Sequence, residues 1–380
     1  MTFSLKPQRS RILVYLLGSI GDTIVAIPAL KAIRRHFGSK HEIYLLHESK
    51  PTIKTSPVDL VAGSPEVDYF ISYPFFLKHV RQFLPIFALW WKLFKKRFFA
   101  VIYLAPSQRT VRQVCRDAMF FRFCGIRQLI GFQAFSDAFL YPLDSKHRPG
   151  RVKHEALCHL DRLNKEGIDV SLERNVSRPF LKISDTNLEE AVRWLKYRRQ
   201  HSRNYLVAVC PGTKQPANRW PIDRFMEIGK RLISRGIYEL LIVGGDAEHS
   251  IGEKLVQEWG EGINACGHFS VIGSAALISQ CAYILGLDTG TTHIAAVLGI
   301  PCIALYGARE NPGRWEPLGE GHIILRKEVP CAGCRLIESP CPIPGHPCMT
   351  EISIDEVWQA VKSMEYRLIK KKALVFNTDH

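Results

Sequence analysis

Nowhere does the 380-residue chain reach the roughly 18 uncharged apolar residues that a membrane-spanning helix needs. The longest candidate, Phe83-Leu-Pro-Ile-Phe-Ala-Leu-Trp-Trp91, stops at Lys92. The first ten residues, MTFSLKPQRS, lack the apolar core of a secretory signal. The expected location is therefore the cytoplasm. No repeat of fixed period is visible, and there is no GxGxxG, so the common dinucleotide fingerprint is missing. No nucleic-acid recognition motif accompanies the positive charge described below, which argues against DNA or RNA as the partner.

The composition is that of a soluble globular protein, with 46% hydrophobic and 23% charged residues. The length suits two domains rather than one core. Charge is unevenly spread. Residues 1–150 hold 22 Lys/Arg against 9 Asp/Glu, a net +13, and residues 151–380 a net of only +2. A basic first half points to a polyanion: a phosphorylated substrate or an anionic membrane surface. One stretch, residues 73–99, combines seven Phe and two Trp with Lys78, Arg81, Lys92, Lys95, Lys96 and Arg97. It reads either as a helix packed on a sheet with its basic face solvated, or as an interfacial helix. Eleven Cys in a cytoplasmic chain are expected to be reduced. Seven are scattered at apolar positions and are expected in the core; the other four cluster near the C-terminus.

Strand-like and helical stretches alternate almost throughout, which predicts an α/β class with parallel sheets. The run Arg11–Leu17 reads as a strand, and Thr23–Phe37 as the helix that follows. Residues 141–187, with Pro142, Pro149 and Pro179, read as a connecting region. Beyond it, strands over 205–210, 239–243, 283–287 and 302–306 interleave with helices, a βαβαβ pattern. The predicted division is 1–185 for a first Rossmann-like domain and 186–352 for a second. Residues 353–380 form a final helix and tail that pack back on the first.

Four segments carry the candidate chemistry. In "GSIGDTIVAIP" (18–28), Gly18 and Gly21 permit a tight turn around Ser19, and Asp22 falls at a helix start. It reads as a helix cap or as a catalytic base. In "LGLDTGTTHIAAVLGIP" (285–301), Asp288 or Thr289 is a natural N-cap and Gly290 allows close backbone approach; His293 lies in the first turn. Such a helix start at the carboxyl edge of a sheet is an anion site. "PGTKQPANRWP" (211–221) offers Thr213, Lys214 and Arg219 to a phosphate, and Glu248 of "GGDAEH" opens a helix where it could hold a ribose hydroxyl. Finally, Cys331-x2-Cys334-x6-Cys341-x6-Cys348 offers four thiols, with one CxxC pair, for a tetrahedral metal.

Taken in this order, these segments resemble glycosyltransferase family 9, the ADP-heptose:lipopolysaccharide heptosyltransferases. The resemblance implies a GT-B architecture: two Rossmann-like domains with parallel sheets facing a central cleft. The acceptor is expected on the first and the nucleotide-sugar on the second. It implies an inverting transferase that needs no metal. By resemblance, Asp22 matches the family's proposed base and Gly18, Ser19 and Gly21 the acceptor-side loop. Thr213 matches a phosphate contact, Glu248 the ribose-contacting acid, and Asp288, Thr289, Gly290 and His293 the diphosphate motif. The family's Lys-x-Trp-Pro signature departs here, because Asn218 stands where its lysine would, so Lys214 or Arg219 is expected to supply the charge. Relatives that modify autotransporters hold iron on similar cysteines, which makes a structural zinc or iron at Cys331, Cys334, Cys341 and Cys348 an expectation of the resemblance.

The expected reaction is sugar transfer, heptose from ADP-heptose foremost, to a lipopolysaccharide-core or related glycolipid. The partners are the nucleotide-sugar, an anionic glycolipid and, peripherally, the cytoplasmic face of the inner membrane. Asp22 is expected to stay ionised because a helix N-terminus lies beneath it. A GT-B enzyme using a UDP- or GDP-sugar, a UDP-sugar epimerase, a protein acceptor and a non-catalytic nucleotide-binding relative remain open.

Overall fold

The computed structural model describes residues 10–49, 57–74, 83–133, 141–145, 147–175, 179–199, 201, 203, 205–336 and 340–378. Parts of the aromatic stretch (75–82) and of "GFQAF" (134–135) lie outside the described residues. The chain divides into two compact units, residues 1–142 with 153–176, and residues 143–152 with 177–380. The second unit thus includes 143–152 and the final helix, which the sequence reading had placed with the first domain and in a separate tail.

The first unit is built on β1 (Arg11–Leu16), β2 (Glu42–Ser49), β3 (Tyr69–Pro74), β4 (Ala100–Tyr103) and β5 (Gln128–Ile130). They form one sheet in the order β3-β2-β1-β4-β5. Every neighbouring pair is parallel, for example Leu13 opposite Tyr44 and Val101. Strands buried on both faces read as continuous apolar runs, and β1 does: Leu13 and Tyr15 join the core formed with Leu89, Leu93, Val114 and Phe121, while Ile12 and Val14 are fully buried as well. The helices are α1 (Ile20–Phe37), α2 (Phe83–Lys96), α3 (Val111–Phe123) and α4 (Glu155–Lys165). Helix α1 begins three residues earlier than the periodicity indicates, at Ile20 with Ser19 as N-cap.

The second unit holds a six-stranded sheet, β11-β10-β9-β6-β7-β8. Its strands are β6 (Tyr205–Cys210), β7 (Tyr238–Ile242), β8 (Ile263–Asn264), β9 (Tyr283–Leu287), β10 (Cys302–Tyr306) and β11 (Ile323–Arg326), all in parallel pairs. Helices α5 (Asp185–Arg198), α6 (Ile222–Ser234), α7 (His249–Trp259), α8 (Val271–Ile278) and α9 (Gly290–Val297) connect them, followed by α10 (Pro347–Thr350) and α11 (Ile354–Thr378). Val357, Val361 and Met364 of α11 enter the core shared with Phe225 and Leu232 of α6 and Leu305 of β10. The last helix therefore packs on α6, β10 and β11 of its own unit.

Each sheet has a switch point where the strand order reverses, and ligands of open α/β sheets bind there, at the carboxyl ends. In the first sheet it lies between β1 and β4, and in the second between β6 and β9. Those four strand ends carry the residues considered next.

Five of the seven scattered cysteines, Cys124, Cys210, Cys266, Cys281 and Cys302, are buried. The expectation fails for Cys115, which is exposed, and for Cys158, which is half-buried. Cys115 lies on a face of α3 that the sheet does not cover.

Candidate functional site

At the end of β1 the chain turns at Gly18 with φ +118°, a conformation that favours glycine. A Cβ at Gly18 would lie 2.7 Å from the Asp22 Cβ and closer still to its carboxylate. The turn is thus shaped around Asp22. Asp22 is not the N-cap of α1. It is the fourth residue of a capping box, in which its Oδ2 accepts from Ser19 N at 2.6 Å and Ser19 Oγ at 3.0 Å. Asp22 is half-buried. Burial pushes its pKa up to about 6, the Ser19 hydrogen bonds pull it down, and the negative charge of Glu155 pushes it up again. The helix start was expected to keep Asp22 strongly ionised, but desolvation outweighs it. A carboxylate titrating near 6 is still mostly ionised at neutral pH and suits a general base.

Glu155 belongs to a buried cluster at the adjoining strand end, after β4. Its Oε1 accepts from Ser107 N at 2.7 Å and Ser107 Oγ at 2.6 Å. Arg162 Nη2 lies 3.6 Å from the same oxygen and donates to Ala105 O at 2.9 Å. It also donates to His159 Nδ1, so His159 is neutral; burial and then the Arg162 charge push its pKa down to about 3. Glu155, His159 and Arg162 recur at helical spacing on α4, on the face that also buries Ala156, Leu160 and Leu163. These residues were missed in the sequence. Three polar side chains on an otherwise apolar stripe were the signal that could have found them.

In the second unit the β6 and β9 loops are tied together. Thr213 Oγ1 donates to Asp288 O at 3.2 Å, and Asn218 Nδ2 donates to Asp288 Oδ2 at 2.9 Å and to Gln215 Oε1 at 2.8 Å. Asn218 is fully buried, and its Oδ1 has no partner among the described residues. Thr289, not Asp288, is the N-cap of α9, and its side chain makes no capping bond. The Asp288 carboxylate is thereby left to Asn218. Burial pushes the Asp288 pKa up to about 6, with Arg309 and Arg326 pulling it down and Glu310 pushing it up. Arg309 and Arg326 are cations that motif reading missed, because Arg309 lies in the loop after β10 and Arg326 at the end of β11, both outside the segments read as motifs. Lys214 and Arg219 are exposed on the loop.

The rest of the site is close-packed. Thr292 Oγ1 donates to Leu287 O at 2.7 Å, and a Cβ at Gly286 would lie 2.7 Å from that hydroxyl oxygen. Glycine in β9 therefore makes room for Thr292. His293 is buried in the first turn of α9, which begins at Gly290. Glu248 folds over Gly212, where a Cβ would come within 2.7 Å of its Cδ, and Glu248 Oε2 accepts from Gly245 N at 2.9 Å. Trp220 of the Trp-Pro pair is an anchor: its Nε1 donates to Ile352 O at 2.9 Å, which ties the β6 loop to the segment before α11.

Cys331, Cys334, Cys341 and Cys348 line one cavity of about 80 Å³ together with His346 and Arg309. Burial pushes the Cys348 thiol up, and the other three cysteines push it further, which marks the four sulfurs as neighbours. Four soft donors suit zinc or iron in kind. Among the described residues, however, no group of three or more His, Cys, Asp or Glu side chains is gathered as a ligand set. The described residues of this cysteine segment, on either side of 337–339, also have a structural role. Arg335 N donates to Arg309 O at 3.1 Å, and His346 Nε2 lies 2.8 Å from Ala217 O, so they brace both sides of the Asp288 site.

Comparison with known proteins agrees with this arrangement. The chain resembles lipopolysaccharide heptosyltransferase 2 of Salmonella typhimurium, with 32% identity over 133 residues. That match covers 33% of this chain and 37% of the relative, so the chain spans little more than a third of the length of that curated relative. Among solved structures, the family 9 glycosyl transferase of Veillonella parvula superposes with a TM-score of 0.71 at 20% identity, covering 96% and 99% of the two chains. The Escherichia coli ADP-heptose heptosyltransferase II gives 0.64 at 19% identity, covering 95% and 99%. The iron-containing dodecameric glycosyltransferase TibC of enterotoxigenic E. coli gives 0.52 at 14% identity, covering 95% and 77%. These likenesses agree with two Rossmann-like units of GT-B type. The profile of glycosyltransferase family 9 (heptosyltransferase) matches residues 87–342, two thirds of the sequence, and the chain belongs to that family.

Proposed function

We propose that this protein is an inverting heptosyltransferase that moves heptose from ADP-heptose to a hydroxyl of a lipopolysaccharide core or related glycolipid, acting peripherally on the cytoplasmic side of the inner membrane. The observation that carries the reading is Asp22, a carboxylate raised to about 6 on a turn shaped to hold it at a sheet switch point. The relative in S. typhimurium is named for lipopolysaccharide and heptose, and the E. coli structure for ADP-heptose, which supports this donor and acceptor.

In the proposed reaction the acceptor hydroxyl gives its proton to the Asp22 carboxylate as its oxygen bonds to the anomeric carbon. The bond from that carbon to the diphosphate oxygen breaks, and its electron pair leaves with the nucleoside diphosphate. The second unit binds the donor. Backbone N–H groups at the start of α9, Thr213, His293 and the cations Arg309 and Arg326 compensate the charge that develops on the leaving oxygen. Lys214 and Arg219 add charge from the loop, and Glu248 holds the ribose. These groups supply the electrostatic role that a bound metal plays in other transferases, so no metal enters the proposed steps. Asn218 keeps Asp288 oriented without neutralising it, and the charge once carried by a signature lysine falls to Arg309 and Arg326.

The test is a donor panel. The purified protein is incubated with a heptose-free core acceptor and ADP-heptose, UDP-glucose or GDP-mannose in turn, with intact product mass as readout. Product from ADP-heptose alone is expected. Product from a UDP- or GDP-sugar would replace the donor, and no product with tight nucleotide binding would indicate a non-catalytic relative.

A further inference from the structure

A helix lying on a sheet normally buries one apolar stripe and shows water a polar one. Helix α2 does something else. Leu89 and Leu93 face the core of the first unit. On the opposite side Leu84, Phe87, Trp91 and Phe94 are 76%, 60%, 44% and 46% exposed. Their spacing of three, four and three residues makes them one continuous outer stripe. The rings touch: Phe87 and Trp90 centroids lie 5.2 Å apart, Trp90 and Phe94 5.5 Å, Trp91 and Phe94 6.2 Å. The patch continues onto α3. Trp90 Nε1 donates to Phe123 O at 2.9 Å, and the Phe123 side chain is 76% exposed.

Cations border these rings. Lys92 and Lys95 form the next outer row of α2, and Lys95 Nζ sits 4.7 Å from the Trp91 ring centroid. Arg97, Arg122 and Arg127 are exposed nearby in the sequence. Helix α2 contains no acid. The one acid of α3, Asp117, is buried and paired with Arg109 and Arg116.

We propose that the outer face of α2, with the end of α3, is a docking surface for an anionic lipid bilayer. Aromatic side chains settle at headgroup depth, and lysines and arginines meet lipid phosphates. The charge selects this occupant. A second copy seated on the same face by a twofold axis would bring these cations against themselves with no exposed acid on either helix to pair them. The inference rests on the peripheral membrane placement proposed above and names the face that meets the bilayer; it is independent of the donor and of the role of Asp22.

The test is cosedimentation of the full-length protein with vesicles of phosphatidylcholine alone or mixed with phosphatidylglycerol. Binding to the anionic vesicles only, weakened by added salt, is expected. The double variants Trp91→Ser/Phe94→Ser and Lys92→Glu/Lys95→Glu should each lower the apparent partition coefficient by about tenfold or more. Circular dichroism and melting temperature report whether each variant is folded, and turnover on a soluble acceptor should be unchanged. Equal binding to neutral vesicles, or anionic binding that survives both folded variants, would overturn the proposal. So would absence of vesicle binding together with self-association that Trp91→Ser/Phe94→Ser abolishes, which would assign the face to a second copy.

Discussion

Replacing Gly18 by alanine tests whether the first turn is built around Asp22. The added Cβ would lie 2.7 Å from the Asp22 Cβ, and closer to the carboxylate, at a residue with φ +118°. The backbone conformation alone costs about 1–3 kcal/mol for a non-glycine residue. Moving the carboxylate also breaks its bonds from Ser19 N at 2.6 Å and Oγ at 3.0 Å. A hydrogen bond to a charged group is worth roughly 1.5–3 kcal/mol. The expected destabilisation is therefore about 3–5 kcal/mol, read as a shift in urea midpoint at constant m-value. Displacement of a reacting group by an ångström costs on the order of 10²-fold in rate, so kcat/KM should fall by at least that. The two effects separate in the Gly18→Ala/Asp22→Asn double variant. If the clash acts through Asp22, Gly18→Ala adds little further loss of activity to Asp22→Asn while still lowering stability. Wild-type kcat/KM and stability in Gly18→Ala would refute the reasoning.

Further outcomes follow from the electrostatics. The acidic limb of kcat/KM should have its midpoint near pH 6, since Asp22 titrates at about 6 and only its ionised form accepts the proton. Glu155→Gln removes a negative charge that pushes Asp22 up, so the limb should move to lower pH; a limb that stays in place in a folded variant would remove Glu155 from the account. Asp22 and Asp288 both titrate at about 6 when folded, above the ordinary 3.8, so their ionisation weakens the native state at neutral pH. That penalty should fade as pH falls from about 6 toward 4, visible as slower acid destabilisation than in the Asp22→Asn/Asp288→Asn variant. Arg309→Met should weaken ADP binding about tenfold by calorimetry, the worth of one charged hydrogen bond; unchanged affinity would move the diphosphate elsewhere.

The strands were legible because a strand covered on both faces is an apolar run, and β6, β9 and β10 have the bounds that their sequence suggests. Helix starts were less legible. Ser19 and Asp22 cap α1 together, and a capping box places its acid three residues inside the helix rather than at its edge. The same limit applied to Asp288, which resembles a cap in sequence but is held by Asn218 across 70 residues. Loop motifs at the β1, β6 and β9 ends were readable, because glycines there answer a specific crowding, as Gly212 answers Glu248. Glu155, Arg162, Arg309 and Arg326 were not. Their significance comes from burial and from neighbours far along the chain, and neither is encoded in local spacing. The aromatic stretch of 73–99 had two readings, and in α2 the inner stripe is packed while the outer stripe is exposed.

The central claim is that Asp22 takes the proton in heptosyl transfer, and single-turnover transfer by Asp22→Asn at saturating ADP-heptose and acceptor tests it most directly. Asparagine keeps the shape of the side chain and removes the base. The rate should fall by about 10²–10⁴-fold, the range for loss of a general base, while ADP affinity stays at the wild-type value. A folded Asp22→Asn protein that transfers heptose at the wild-type rate would contradict the account.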